Sequence, residues 1–410
     1  MKSILLLIES LRINETSSGI VSSTFVKLMH SSGYHIKIVA PRTINYRISW
    51  LPGNIDIRLF NLPVRNQNLL DSIPKLRALP TYLTGLHSDF RRLINEWKSE
   101  ICNELGMGKY DVIYVLGSGS EFAPHFAISE IDPDVPVVIN FHDPFPMHLY
   151  PEPYRARRSR INKLLEKKIG NAIGMAYRIS FPSEFLMDLM AKTFPLIKNK
   201  GFVLPHIGTE LKDLPESGED DLISLDSDKV NILHAGSLLG PRNPNQLLQS
   251  IMDIHNNRAD LLKNVRFVFV GKMAKELKHF ADNVVGDCIR FYDCRISYKK
   301  SLELISRADC MLVIEAISDF SPFMPGKLAD IAFCEKPVIA LTPKKSEIMR
   351  LLGDDYPYYS DLGDKQGITI AIIRFLSDFE NQNVNKQSIK RIKEYVSIER
   401  NSLILNRILG

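Results

Sequence analysis

Residues 310–341 read CMLVIEAISDFSPFMPGKLADIAFCEKPVIAL and predict a strand, a loop, a helix and a second strand. The apolar runs Cys310–Ile314 and Pro337–Leu341 are short and continuous, which is typical of strands buried on both faces of a parallel sheet. Between them, a turn rich in Ser, Pro and Gly leads into a helix that starts near Lys327. In an open α/β sheet, ligands bind at this kind of strand end. Because the helix N-terminus offers free N–H groups and Lys327 adds a positive charge, we expect an anion such as a diphosphate to bind there.

The same alternation of strand and helix continues on both sides of this stretch. In the second half of the chain, five apolar runs are predicted to be strands: Val230–Ala235, Val265–Val270, Ile289–Tyr292, Cys310–Ile314 and Val338–Leu341. Helices are predicted to start near Asn243, Met273, Ser297, Lys327 and Ser346. The first half repeats the pattern less regularly, with strands predicted at Ile4–Ile8, Ile36–Val39, Val112–Leu116, Val137–Phe141, Tyr177–Phe181 and Phe202–Leu204. The patterns predict an α/β protein of two Rossmann-like, doubly wound domains that face each other across a cleft.

Length and composition fit a two-domain protein of the cytoplasm. The chain has 410 residues, which is more than one hydrophobic core usually holds, and residues 211–229 are acidic and turn-rich like a surface linker. Its five cysteines are odd in number, widely spaced and without a C-x-x-C pair, so we expect reduced thiols rather than a zinc site or disulfides. The apolar run after Met1 is too short for a signal peptide. No run reaches the about 20 apolar residues that a membrane-spanning helix needs.

Four loops that follow predicted strands of the second half carry glycines or basic residues. They are residues 234–244, 270–272, 292–297 and 318–327. Gly236 allows a ligand close to the backbone, and Arg242 lies next to a helix start, where a guanidinium can bind phosphate with two hydrogen bonds. Lys272 follows a glycine at another strand end. Each loop alone is weak evidence, but four loops at one sheet edge favour a site for a nucleotide diphosphate.

The motifs in these loops resemble those of a known enzyme family. They are the segments 232–237 (ILHAGS), 242–244 (RNP), 268–271 (VFVG), 306–309 (SRAD), 327–332 (KLADIA) and 336–340 (KPVIA). In order and spacing they resemble the nucleotide-sugar domain of GT-B glycosyltransferases, and most closely the group 1 (family 4) members. The resemblance covers roughly residues 230–352, whereas the first half is similar only at the turn 17–20 (SSGI) and at His142-Asp143.

The resemblance implies roles for particular residues. Arg242, together with Lys272 or Lys327, would neutralise the donor diphosphate, and Arg295 and Ile296 would lie near the base. Gly19 would let the first helix approach the phosphates, and His142 would be a catalytic residue facing the transferred sugar. The remaining substrate-binding residues that it implies are Gly236, Ser321, Pro322, Phe323 and Asp330. Two departures are visible: the family's glutamate pair falls on Pro322 and Asp330, and its second basic residue after Gly236 is Ser237.

The resemblance also implies the domain organisation. Residues 1–206 would form the acceptor-side domain, residues 207–386 the nucleotide-sugar domain, and residues 387–410 a final helix that packs back on the first domain. In this helix the apolar positions that need a partner surface are Ile389, Ile392, Val396, Leu403 and Ile408.

Two candidate features have a structural alternative. A histidine at a strand end, such as His142, is often a hydrogen-bonded structural residue rather than a catalytic one. The triplets Asp132-Pro133-Asp134 and Asp226-Ser227-Asp228 could hold a metal, but both lie in polar, turn-like surroundings, so we interpret them as turns. We therefore expect no metal site, because helix N-termini and basic side chains can stabilise a leaving diphosphate.

Residues 155–168 are strongly basic. The cations are Arg155, Arg157, Arg158, Arg160, Lys163, Lys167 and Lys168, and apolar residues recur among them at helical spacing. A basic amphipathic helix can lie on an anionic membrane surface. A solvated helix face is an equally good interpretation, whereas nucleic-acid binding is disfavoured because no aromatic residues are interleaved.

The sequence thus predicts a metal-independent glycosyltransferase that needs no cofactor beyond its nucleotide-sugar co-substrate. It would transfer a sugar to a hydroxyl acceptor, either a glycan or a lipid-linked one, in surface polysaccharide or lipid-linked glycan synthesis. Two alternatives remain open: a nucleotide-sugar epimerase of GT-B architecture, and a non-catalytic sugar-binding partner subunit. We expect a cytoplasmic protein, with peripheral membrane association if the acceptor is lipid-linked.

Overall fold

The computed structural model describes residues 1–13, 16–42, 51–53, 55–62, 81–117, 122–214, 223–275, 277 and 288–410. These residues form two compact units. The first unit contains Met1–Tyr150, Tyr154–His206 and Ile398–Gly410, and the second contains Pro151–Pro153 and Ile207–Ser397. Each unit is an α/β body around its own parallel sheet.

The sheet of the first unit has seven strands. They are β1 (Ser3–Ile8), β2 (His35–Arg42), β3 (Asp56–Asn61), β4 (Val112–Leu116), β5 (Val137–Asn140), β6 (Arg178–Phe181) and β7 (Gly201–Val203). Their order is β3-β2-β1-β4-β5-β6-β7, and every pairing is parallel, with Ile4 opposite Ile36 on one side and Val112 on the other. The order reverses between β1 and β4, which makes this the topological switch point of the unit.

The sheet of the second unit has six strands. They are β8 (Val230–Ala235), β9 (Val265–Val270), β10 (Ile289–Tyr292), β11 (Cys310–Ile314), β12 (Val338–Leu341) and β13 (Tyr359–Ser360). The order is β10-β9-β8-β11-β12-β13, all parallel, with the switch point between β8 and β11. Residues 310–314 are all buried, which explains why this run carries no polar side chain.

Helices cover the two sheets. In the described residues they are α1 (Ser17–Ser31), α2 (Ser88–Met107), α3 (Ala123–Ile131), α4 (Arg160–Met175), α5 (Glu184–Ala191), α6 (Ile197–Lys200), α7 (Asn245–Asn257), α8 (Ala259–Leu262), α9 (Tyr298–Arg307), α10 (Gly326–Phe333), α11 (Glu347–Leu352), α12 (Lys365–Glu380), α13 (Gln387–Tyr395) and α14 (Ile398–Leu409). Seven of these fourteen helices begin at a capping side chain; for example, Ser297 and Ser346 each accept a hydrogen bond from the N–H three residues on. In the described part of the chain, no helix has the length and apolar character needed to cross a bilayer.

The predicted strands of both halves are confirmed, and two further strands complete the sheets. The additional strands are β3 and β13, which lie at the outer edges. Residues 211–213 form a short 3-10 helix, while the most acidic part of the predicted linker, residues 215–222, lies outside the described residues. The helix predicted near Met273 also falls largely outside them.

The C-terminal segment differs from the single helix that the sequence predicts. It forms two helices, α13 and α14, with a break at Val396 and Ser397. Helix α13 packs on α10 and α11 of the second unit, where Ile389 and Ile392 are buried. Only α14 packs on α1 of the first unit. The break shifts the helical phase, so Leu403, expected to be buried, is exposed, and Leu405 and Leu409 are buried instead.

The packing of α14 predicts a large difference between two neighbouring leucines. Leu405 is fully buried, whereas Leu403 is 69% exposed. Replacing Leu405 with alanine should lower the free energy of unfolding by about 2–5 kcal/mol, because it leaves a cavity. Leu403→Ala is the matched control and should change stability by less than about 0.5 kcal/mol. Chemical denaturation of both variants measures the difference, and equal stabilities would contradict the observed packing of α14.

Candidate functional site

The candidate site lies at the carboxyl edge of the second sheet, where β8 and β11 meet at the switch point. After β8 the chain turns at Gly236, whose N–H donates to the Val270 carbonyl at 2.7 Å. Gly271 follows β9 with a φ of 144°. A Cβ at Gly271 would lie 2.3 Å from the Gly236 carbonyl oxygen, so only glycine allows these two loops to approach so closely. At the centre of this sheet edge, the two loops therefore present main-chain atoms rather than side chains.

Lys327 from α10 places its ammonium against this backbone. A Cβ on Gly236 would lie 2.6 Å from Lys327 Nζ. Among the residues that the structure describes, no carboxylate lies within 4.0 Å of Nζ and no group accepts a hydrogen bond from it. Burial lowers the pKa of Lys327 to about 8, the neighbouring Arg242 lowers it as well, and Asp330 raises it in part. An ammonium that makes no hydrogen bond or close ion pair within the described residues can bind an anion.

The start of α10 adds uncompensated backbone donors. The helix follows Pro325, and no side chain of the described residues caps it. The first hydrogen bond of the turn is donated by the Leu328 N–H to the Pro325 carbonyl. The N–H groups of Gly326 and Lys327 therefore remain available at the positive end of the helix dipole.

Arg242 and His234 complete the charge distribution. The Arg242 side chain is exposed and has no hydrogen-bonding or ion-pair partner in the described part of the chain. His234 is buried, and its Nδ1–H donates to the Leu312 carbonyl at 3.1 Å. Burial, together with Lys327 and Arg242, lowers the pKa of His234 to about 3. The imidazole is therefore neutral, and its buried Nε2 presents a lone pair without a hydrogen-bond donor among the described residues.

Glu315 is a residue of this site that the sequence reasoning missed. It follows β11 directly and is only 5% exposed. Its Oε1 accepts a hydrogen bond from Ser321 Oγ at 3.0 Å, whereas Oε2 is buried without a partner in the described residues. Burial raises the pKa of Glu315 to about 7, against the opposing effects of Ser321 and Arg242. The available signal was an acidic residue that directly ends a fully apolar strand.

Asp330 is fixed within the second unit. Its carboxylate is buried and accepts a hydrogen bond from the Tyr298 hydroxyl at 2.7 Å. Burial raises the pKa of Asp330 to about 7, although Tyr298 and Lys327 both lower it. The hydrogen bond connects α9 to α10, the helix that carries Lys327.

The other predicted residues of this unit lie along the same edge. Lys272 and Arg295 are exposed at the ends of β9 and β10, with no side-chain partner in the part of the chain that the structure describes. The two loops are connected by a hydrogen bond from the Met273 N–H to Asp293 Oδ1 at 3.1 Å. Ile296, Pro322 and Phe323 are partly or fully buried. The structure thus brings Gly236, Arg242, Lys327 and the Glu315–Ser321 pair together, with Lys272 and Arg295 on neighbouring strands.

Gly19 lies in the first unit, at the start of α1. Its N–H donates to Thr16 Oγ1 at 3.0 Å, which caps the helix. A Cβ at Gly19 would lie 2.3 Å from the Arg12 carbonyl oxygen. The close approach of the Arg12 backbone therefore requires glycine here on structural grounds alone.

His142 lies just beyond β5 in the first unit. Both of its ring nitrogens are buried and form no hydrogen bond with the described residues. Burial, with the neighbouring His206 and His125, lowers the pKa of His142 to about 3. By contrast, His125 forms a 2.8 Å hydrogen bond with the Asn140 carbonyl, as a structural histidine does. A neutral imidazole with two unsatisfied nitrogens can accept a hydrogen bond at one nitrogen and donate one from the other.

The Asp-x-Asp triplets lie in turns. Asp132 ends α3 with a φ of 51°, and Asp226 accepts a hydrogen bond from the Asp228 N–H at 3.1 Å. Asp226 also forms an ion pair with Arg266 at 3.1 Å. Within the described ranges, no three or more His, Cys, Asp or Glu side chains are placed together to hold a metal ion.

The basic segment is only partly helical. Helix α4 begins at Arg160, capped by Ser159, so Arg155, Arg157 and Arg158 precede it. The apolar side of its first turns packs against Gly85, where a Cβ would lie 3.0 Å from Leu164 Cβ. The segment is therefore not a continuous amphipathic helix lying free on the surface.

Comparisons with known proteins identify the fold. No protein-family model and no curated protein sequence matches the chain. Among solved structures, sucrose-phosphate synthase from Thermosynechococcus elongatus is similar with a TM-score of 0.70 and 13% identity over 100% of this chain and 98% of that chain. The UDP-forming α,α-trehalose-phosphate synthase from Burkholderia xenovorans, solved with glucose-6-phosphate, has a TM-score of 0.66 and 10% identity over 100% of both chains. HepE from Anabaena, solved with UDP and glucose, has a TM-score of 0.60 and 12% identity over 100% and 99%. With its two Rossmann-like units, the chain has the GT-B fold.

Proposed function

We propose that this protein is a glycosyltransferase that moves a sugar from a nucleotide-sugar donor to a hydroxyl acceptor. The observation that carries the proposal is the ammonium of Lys327, which lies against Gly236 at the switch point and makes no hydrogen bond or close ion pair within the described residues. The solved neighbours support the same chemistry, since one from E. coli is bound with UDP-2-fluoro glucose and HepE is in complex with UDP-glucose. The motif resemblance to family 4 agrees with this assignment.

The geometry suggests how the reaction is assisted. The bond between the sugar and the diphosphate breaks with its electron pair moving to a phosphate oxygen. The acceptor oxygen bonds to the sugar carbon, and its proton passes to the departing diphosphate. Lys327, Arg242 and the open N–H groups of α10 stabilise the negative charge on the departing diphosphate. Lys272 offers a further cation at the same edge. We assign His142 to the transferred sugar, because its ring nitrogens have no other partner among the described residues.

The remaining ligand contacts are proposed from sheet order. Arg295 and Ile296 follow β10 and are proposed to lie near the base, two strands from Gly236. Ser321, Pro322, Phe323 and Asp330 are proposed to contact the donor near Lys327, and Gly19 is proposed to bring α1 near the phosphates. No metal is part of the mechanism, because the cations and the helix terminus supply the positive charge. The pathway we propose is cytoplasmic synthesis of a surface polysaccharide or lipid-linked glycan.

The decisive test is incubation with a panel of nucleotide sugars and candidate acceptors in excess EDTA. We expect donor hydrolysis and, with the right acceptor, glycosyl transfer that survives chelation. Formation of an epimer would instead favour the epimerase alternative, and binding without turnover would favour a non-catalytic subunit. Turnover lost in EDTA and restored by Mn²⁺ would contradict the metal-independent mechanism.

A basic patch on the first unit supports a membrane-associated acceptor. We define the basic patch as Arg155, Arg157, Arg158, Arg160, Lys163 and Lys167, all with exposed or partly exposed side chains. Exposed apolar side chains lie next to it: Arg160 lies 4.5 Å above the ring of Tyr82, which is 53% exposed, and the Ala156 N–H donates to the carbonyl of Met147, also 53% exposed. Leu83 beside Tyr82 is 56% exposed. Cations beside exposed aromatic and apolar groups fit the interface of an anionic bilayer.

Liposome sedimentation tests the basic patch. The parent protein should pellet with anionic vesicles at low salt and be released by moderate salt, since each cation contributes up to about 1 kcal/mol near such a surface. Replacing Arg157, Lys163 and Lys167 with glutamine should prevent pelleting and leave donor hydrolysis unchanged. The matched control replaces three exposed cations of the second unit, Lys263, Lys275 and Arg374, and should pellet like the parent. A parent that stays in the supernatant would show that the patch is merely solvated.

A further inference from the structure

Glu315 is a buried carboxyl group that its own surroundings do not fully satisfy. It begins the loop after β11 and is held at one oxygen by Ser321, while Oε2 is buried without a partner in the described residues. Its position is fixed further by the Glu315 N–H, which donates to the Leu341 carbonyl at 3.0 Å. A buried polar atom that makes no hydrogen bond costs free energy, so a fixed one is expected to have a partner that the protein alone does not supply.

The order of the strands indicates which part of a ligand would reach Glu315. Arg295 and Ile296 follow β10, Gly236 follows β8, and Glu315 follows β11. Along the sheet the strands lie in the order β10, β9, β8 and β11. Neighbouring strands are about 4.8 Å apart. A donor with its base near β10 and its diphosphate at Gly236 therefore has its sugar at the end of β11, beside Glu315.

The chemistry of the carboxyl group favours a hydroxyl partner. The pKa of Glu315 is raised to about 7, so the group exchanges between a form that donates one hydrogen bond and a form that only accepts. An ionised carboxylate repels a phosphate, whereas a hydroxyl can serve either form because it both donates and accepts. The electrostatic effect of Arg242 on Glu315 indicates that the two groups belong to one site.

We propose that Oε2 of Glu315 forms a hydrogen bond with a hydroxyl group of the sugar carried by the donor, and so selects nucleotide sugars over the bare nucleoside diphosphate. This inference rests on the proposed function. A ribose hydroxyl offers the same chemistry, and the experiment separates the two sources.

The experiment is calorimetry with the nucleotide sugar that the parent protein binds in the panel, with its nucleoside diphosphate, and with the 2′-deoxyribose form of that diphosphate. Glu315→Leu should weaken nucleotide-sugar binding by about tenfold or more and leave diphosphate binding within about twofold. Glu315→Gln, which keeps a donor and an acceptor, should retain most of the affinity. Tyr356→Phe is the control for a loss of stability alone, because it removes a buried hydrogen bond to the Val338 carbonyl and leaves Glu315 in place.

The outcomes are distinguishable. One outcome is that Glu315→Leu weakens binding of the nucleotide sugar and of the diphosphate equally, yet leaves binding of the 2′-deoxyribose diphosphate unchanged. That result assigns the hydroxyl to ribose and overturns the proposal. Unchanged affinities in Glu315→Leu also overturn it, as do losses that Tyr356→Phe reproduces together with the same drop in unfolding temperature. A parent protein that binds no nucleotide at all contradicts the proposed function itself.

Discussion

Replacing Lys327 with methionine is expected to weaken binding of the donor's nucleoside diphosphate by about 10- to 150-fold. This range corresponds to the ~1.5–3 kcal/mol that a hydrogen bond to a charged group contributes. Methionine keeps the length and apolar stem of lysine, so the packing of α10 should survive. The loss arises because Lys327 is the cation that lies against Gly236 and makes no hydrogen bond or close ion pair within the described residues.

Combining Lys327→Met with Arg242→Gln should remove measurable binding. The two cations interact electrostatically, and each lowers the charge that remains on a bound diphosphate. Isothermal calorimetry measures the affinity, and Lys263→Met serves as the matched control because Lys263 is an exposed cation away from the sheet edge. Lys272→Met shows which of the two lysines acts on the phosphates. Wild-type affinity in both Lys327→Met and Arg242→Gln would remove the proposed phosphate site.

The same lysine predicts a pH dependence with a definite sign. The pKa of Lys327 is lowered to about 8, and a bound diphosphate favours its charged form. Affinity should therefore fall as pH rises above 8, by about tenfold per pH unit. Glu315 and Asp330, whose pKa values are raised to about 7, ionise at lower pH and do not produce this slope. Lys327→Arg, which stays charged, should bind with little change above pH 8.

The sequence was sufficient to predict the strands wherever they are buried on both faces of a sheet. Residues 310–314 are uniformly apolar because β11 is buried on both faces, and such a run can be recognised as a strand from the sequence alone. Strand β3 was missed because it alternates between charged and apolar residues at a sheet edge, with Asp56 and Asn61 exposed. Strand β13 contains two residues, which is too short for any periodic signal.

Individual residues of the site were harder to predict. The loops with Gly236, Arg242 and Lys327 could be placed at one edge because parallel strands all end there. The contact of Lys327 with Gly236 could not be predicted, because it depends on the distance between the start of α10 and the sheet. Glu315 was missed because a lone acidic residue after a strand looks like an ordinary surface residue, and only the fold shows that it is buried. Similarly, the requirement for Gly19 became clear only from the position of the Arg12 backbone.

His142→Ala is expected to lower the turnover number by about 2- to 12-fold, which corresponds to the ~0.5–1.5 kcal/mol of a neutral hydrogen bond made to the transferred sugar in the transition state. Affinity for the nucleoside diphosphate should be unchanged, because Lys327, Arg242 and Gly236 all belong to the second unit. The reason for a catalytic role is that both ring nitrogens of His142 are buried and unsatisfied within the described residues, whereas the structural His125 has the Asn140 carbonyl as a partner.

The pH profile provides a further check on His142. An exposed histidine titrates near pH 6.5, but burial lowers the pKa of His142 to about 3, so the imidazole is neutral in the free protein at every pH above about 4. Between pH 5 and 8, titration of His142 should therefore cause no change in activity. The pH profiles of the parent and of His142→Ala should have the same shape in this range. His142→Gln retains one donor and one acceptor and should recover part of the turnover if hydrogen bonding to the sugar is the main contribution. If His142→Ala turns over at the parent rate with an unchanged unfolding temperature, the residue has no catalytic role, and the chemistry depends on the groups around Lys327 alone.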